Sequence, residues 1–137
     1  MKALFIDPKE RRVWEGTLPE DIDERLAAMR EFIDCSYVTV GNYFSNKDAL
    51  FIDDEGLFKS DPDLFRVGAI GQALAGRGIV VGGTPDGESV DVKQSVEELF
   101  DCLYWVVPVG KERMLLFDVK AKRPKDSDEE KGEEADE

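Results

Sequence analysis

The chain has 137 residues, 42% of them hydrophobic, and carries 31 Asp and Glu against 18 Lys and Arg for a net charge of −13. This length suits one domain with a real core. The acidity argues against binding phosphate backbones or anionic membranes, because affinity for both comes from Lys and Arg. There is no histidine, which removes Ser-His and Cys-His nucleophile activation, histidine general bases and every histidine-containing metal site.

Residues 3–7 (ALFID) and 12–15 (RVWE) flank the polar turn Pro8-Lys9-Glu10-Arg11 and predict an opening β-hairpin. Thr17 and Glu20 have the form of a capping box. Ile22, Leu26, Met29 and Ile33 then recur at helical spacing, predicting one apolar stripe on a helix of about 15 residues. Asp21, Asp23 and Glu24 favour its first turns through the helix dipole. Tyr37–Val40 and Ala49–Asp53 read as strands joined by the turn-rich GNYFSNKD, and Asp53–Gly56 as a tight turn.

From Asp61-Pro62 onward, Leu64, Val67 or Ile70, and Leu74 suggest a short helix ending at Gly76. Gly78–Gly82 is a compact β run, Thr84–Gly87 a turn, and Ser89–Val92 a returning strand. Ser95 and Glu98 offer a second capping box, with Val96, Leu99, Phe100 and Leu103 on one face. Tyr104–Val109 and Met114–Val119 are the last strands, across a Gly110-Lys111 turn. No internal repeat is evident. The fold expected is α+β: a single domain over residues 1–119, with two or three helices packed on a mostly antiparallel sheet. Residues 120–137 read as a charged, disordered tail. Residues 126–137 hold −7 and the basic collar 120–125 holds +4, which leaves −10 on residues 1–119.

Candidate chemistry is sparse. Asp53, Asp54 and Glu55 could ligate a hard cation such as Mg²⁺, but a strand followed by D-D-E-G is more often a solvated turn. GRGIVVGG (76–83) invites a phosphate-loop reading, yet it lacks both the Gly-Lys-Ser/Thr of a Walker loop and the strand–glycine–helix order of a dinucleotide fingerprint. Arg66 and Arg77 could contact an anion, but a plain ion pair with nearby Asp61, Asp63 or Asp86 is the better account of them. Tyr43 and Phe44, in a polar loop, are the interface candidates among the aromatics, although core packing is the commoner role of such side chains. Cys35 and Cys102 read as small buried hydrophobes. The N-terminus MKALFID meets Asp7-Pro8 after four apolar residues, unlike a signal peptide, so reduced thiols and a cytoplasmic setting are expected.

The opening hairpin, acidic helix, Tyr37–Val40, ALFIDDEGLFK (49–59) and GRGIVVG (76–82) together resemble a small domain family of unknown function common in bacteriophages and other mobile elements. The resemblance covers residues 2–82, and the region from Thr84 onward looks like an extension. It implies a phage or mobile-element protein in a bacterial cytoplasm and supplies no catalytic residues. The expected function is therefore a non-enzymatic accessory protein, without cofactor or metal, that binds a host protein with a basic surface. In its strongest form this is DNA mimicry in counter-defence. The alternatives are a binder of an anionic nucleotide-type small molecule through Arg66 and Arg77, and a Mg²⁺-dependent enzyme using Asp53, Asp54 and Glu55.

Overall fold

The computed structural model describes residues 1–59, 61–68, 71–109 and 115–122. The Gly110-Lys111 turn and residues 123–137 of the expected tail lie outside them. The chain opens with the hairpin of β1 (Lys2–Asp7) and β2 (Arg12–Thr17), paired with Phe5 opposite Trp14. Helix α1 (Ile22–Ile33) follows, capped by the Asp21 side chain, which accepts from the Glu24 amide. Thr17 is not its cap: it is still in the sheet, opposite Lys2. The buried face of α1 is Arg25, Met29 and Ile33, whereas Ile22 is 60% exposed. The Arg25 guanidinium is tolerated because it donates to the Pro19 and Glu20 carbonyls at 3.4 and 2.8 Å.

The regular structure that follows is almost entirely strand. β3 (Val38–Tyr43) and β4 (Ala49–Asp53) form a second hairpin, followed by a 3₁₀ turn at Gly56–Phe58. Then come β5 (Leu64–Val67), β6 (Leu74–Ala75), β7 (Gly78–Gly83) and β8 (Ser89–Val90). The five-residue helix α2 (Val96–Phe100), with its Ser95–Glu98 capping box formed, leads into β9 (Leu103–Val109) and β10 (Leu115–Lys120). The expectation of two or three helices packed on a sheet is thus corrected. The described residues form ten strands in two antiparallel sheets, with one helix of substance.

The stretch expected as a helix at 64–76 is β5 and β6. Leu64 and Phe65 pair with Val106 and Trp105 of β9, and Phe65 is fully buried. Its partner lies some 40 residues downstream, so local periodicity could not report it. The first sheet runs β2-β1-β7-β4-β3, with β8 on the far end of β7; the second runs β10-β9-β5-β6. Lys120 closes β10, and Ala121 beyond it is buried with its amide on the Leu103 carbonyl, so the packed chain reaches at least Ala121.

Three layers result. Leu4, Ile6, Leu50, Ile52 and Val80 point from the first sheet toward Phe65, Leu74, Leu103 and Trp105 of the second. Ala3, Phe5, Ile79 and Val81 point the other way, onto Met29 and Ile33 of α1. The central strands are apolar on both faces because both faces are covered.

That double burial exposes a feature missed in reading the chain: Ala-Leu-Phe-Ile-Asp occurs twice, at 3–7 and 49–53. The two copies are β1 and β4. They flank β7 on either side, both antiparallel to it and hence parallel to each other. Leu4 and Leu50 both oppose Val80, and Phe5 and Phe51 both oppose Ile79. Two glycines of β7 are required by close approach: a Cβ on Gly78 would stand 2.8 Å from the Leu50 side chain of β4, and one on Gly82 would stand 2.0 Å from the Asp91 carbonyl oxygen just beyond β8.

Candidate functional site

Each copy of the pentapeptide ends in a buried aspartate, so the register along β7 brings Asp7 and Asp53 to the same end of the sheet. Both are in phase with Phe5 and Phe51 and so lie on the α1 side, beside the C-terminus of that helix. Asp7 Oδ1 accepts from the Lys9 and Glu10 amides, and Asp53 Oδ1 from the Glu55 amide, each closing the turn that follows its strand. The second oxygen of each meets a cation. Lys59 Nζ is 2.7 Å from Asp53 Oδ2, and Arg77 Nε is 3.6 Å from Asp7 Oδ2.

The same two cations cap α1: Lys59 Nζ donates to the Asp34 carbonyl at 2.8 Å, and Arg77 donates to the Phe32 carbonyl at 3.0 Å. The orphan carbonyls and negative dipole end of a helix favour such donors. Two carboxylate–cation–carbonyl bridges therefore fasten the helix end to the sheet. The hydrogen bond to Asp53 holds the Lys59 ammonium pKa above its ordinary value of 10.5. Burial, with Asp53 adding repulsion, raises the nearby Cys35 thiol, and burial likewise raises Cys102. Both cysteines are half-buried free thiols, packed in different cores.

These groups line a cleft of about 270 Å³ that also takes in Lys9, Asp34 and Asp63. It unites Arg77 and Asp53 of the predicted site residues. An anion entering it would face four carboxylates, and two of its three cations, Lys59 and Arg77, are already bonded to aspartates. The geometry does not favour phosphate there. Asp54 and Glu55 are exposed, and Asp53 is committed to Lys59 and a backbone amide. Among the described residues no group of three His, Cys, Asp or Glu side chains is placed to hold a metal ion.

Arg66 lies elsewhere, on β5. It pairs with Asp118, not with Asp61, Asp63 or Asp86, and donates to the Gly71 carbonyl at 3.1 Å. Arg77 likewise finds Asp7. Phe44, named with Tyr43 as an interface candidate, packs half-buried against the core between the sheets. Tyr43 is 75% exposed at the end of β3.

β3 is the outer strand of the first sheet, and the exposed side chains gather along it. Tyr37 precedes it, Tyr43 ends it, and Leu57 and the 88%-exposed Phe58 stand out from the 3₁₀ turn nearby. Beside β3, on the face turned toward the second sheet, lies a cleft of about 410 Å³ floored by Ile52, Leu74 and Ala75. A second, of about 440 Å³, borders β3 on the opposite, Phe51 face. Sequence reasoning found Tyr43 but neither Phe58 nor Tyr37 as surface groups, because LF and YVTV read as core.

Residues 1–103 match the profile of a domain of unknown function, DUF3846. The chain belongs to that family. The DUF3846 match takes in the hairpin, α1, both copies of ALFID, β7, β8 and α2, and ends at the first residue of β9. The region from Thr84 to Leu103, expected as an extension, is therefore part of the family domain, and β10 with nearly all of β9 lies beyond the match. No curated protein and no solved structure gives a significant match. No helix among the described residues is long and apolar enough to cross a membrane.

Proposed function

We propose that this DUF3846 protein is a non-enzymatic binding module that docks a protein partner carrying a basic surface. One observation carries the reading: Tyr37, Leu57 and Phe58 are exposed beside Asp54 and Glu55, two exposed carboxylates in no ion pair among the described residues. Aromatic anchors beside unneutralised charge are the composition of a protein interface. Lys59, the nearest lysine along the chain, does not offset it because it is paired with Asp53, and Arg66, Arg77 and Lys93 are likewise each paired with an aspartate. The outer face of α1 adds exposed Asp23, Glu24 and Glu31 to the same sign of field, which steers a basic partner and repels nucleic acid.

The biological setting proposed is that of a phage or mobile-element accessory protein in the bacterial cytoplasm, resting on the resemblance of residues 2–82. The host target would be a protein whose basic patch otherwise holds nucleic acid. Affinity capture from a host lysate, with native mass spectrometry of the complex, tests the reading. A basic protein retained at low ionic strength, released by salt and lost when Asp54 and Glu55 become Asn and Gln, is the expected result. Capture unaffected by salt and by that double substitution would refute it, as would recovery of a small molecule in place of a protein.

A further inference from the structure

The exposed aromatics sit along a strand with one side unpaired among the described residues, and this indicates how a partner could attach. β3 ends the first sheet and β6 ends the second. Both border the cleft floored by Ile52 and Leu74, which is thus the open flank between the two sheets. Asp54 stands on its rim and Phe58 beside it, and no lysine or arginine is among its lining residues. An apolar floor with a carboxylate and an aromatic ring at the mouth suits a long cationic side chain, which buries its methylene stem and keeps its charge at the rim.

We propose, building on the binding role above, that β3 accepts an extended basic segment of the partner protein as an added strand, one of whose Lys or Arg side chains enters this cleft. Main-chain bonding to β3 would supply affinity, and the alternation of the added strand would send successive side chains to the clefts on the two faces. The bulge between Val40 and Asn42 interrupts the ladder with β4 at Gly41, where a Cβ would stand 2.8 Å from the Ile52 side chain. That bulge blunts the edge against indiscriminate pairing and makes Val38–Val40 the docking register. Charge decides the occupant: a second copy would bring another body of −10 to the same face, whereas a basic segment meets Asp54 and Glu55.

The test uses the full chain and fluorescein-labelled heptapeptides Lys-X-Lys-X-Lys-X-Lys, with X being Val, Leu or Phe. Anisotropy reads affinity and amide hydrogen exchange reads location. At least one peptide should bind, protect amides of residues 38–43, and lose affinity when a central proline prevents strand formation. Asp54→Asn should weaken it roughly three- to fivefold, as loss of an exposed ion pair does. Thr39→Lys, which sets a like charge on the edge, should abolish it, with thermal unfolding confirming that the variant folds.

Equal binding of the proline peptide, protection confined to α1, undiminished binding by Thr39→Lys, or no binding by any peptide overturns the proposal. A salt-sensitive dimer that protects β3 without peptide does so too, by making a second copy the occupant. A host protein captured equally by wild type and Thr39→Lys would leave the binding role standing and remove only the added strand.

Discussion

Replacing Asp48 by alanine probes the contact on which the join between the two halves of the chain depends. Asp48 is fully buried in the turn between β3 and β4, yet its carboxylate serves the segment before α2, some 45 residues on. It accepts from the Lys93 amide at 3.1 and 3.2 Å, the Gln94 amide at 3.0 Å, Gln94 Nε2 at 3.1 Å and Asn46 Nδ2 at 3.2 Å. Alanine would strand these donors. The two on Gln94 are buried and cannot reach water without the segment opening. At about 1–3 kcal/mol for each of these two buried donors left unpaired, the loss is roughly 2–6 kcal/mol. That is a large share of the 5–15 kcal/mol typical of a domain. Asp48→Asn keeps the shape and one acceptor oxygen but turns an NH₂ toward a donor, so its loss should fall between alanine and wild type. Urea unfolding followed by circular dichroism gives all three values. A loss below about 1 kcal/mol for the alanine variant, or an asparagine variant as stable as wild type, would refute the claim that the carboxylate organises this join.

Three further outcomes follow from the same geometry. Leu4→Ala and Leu50→Ala should each cost about 2–5 kcal/mol and differ little from each other, because both leucines are fully buried opposite Val80; a marginal cost at either, in denaturant titration, would break the equivalence of the two ALFID strands. Gly82→Ala should destabilise by at least the roughly 1–3 kcal/mol of ordinary overpacking, since its Cβ would run into the Asp91 carbonyl; unchanged thermal unfolding would contradict that. The ammonium of Lys59 binds its proton more tightly in the fold than in the unfolded chain, so its pairing with Asp53 stabilises below the ordinary value of 10.5 and is lost as pH rises through the higher folded value. The stability gap between wild type and Lys59→Met should therefore narrow above that pH, and a gap independent of pH would sink the assignment.

Features whose cause is local were legible in the chain. The period of α1, the hairpin around Pro8–Arg11 and the Ser95–Glu98 box each depend on neighbours within a few residues, and the structure forms all three. The excess of acid needed only counting. The repeated ALFID was also present as plain text, and comparing the chain with itself would have found it; its meaning required knowing that both copies pair with one strand. Tertiary structure alone decided what the distant partners are. β5 is a strand because β9 pairs with it, against a helical spacing of its own apolar residues. Arg66 and Arg77 find Asp118 and Asp7, not the aspartates near them in sequence. Asp48, one acid in a polar turn, becomes a buried hub. The reason is common to all three: periodicity records which face of an element is covered, whereas sheet order and register choose what covers it. That choice is made by pairing energies between segments tens of residues apart, which no local window contains.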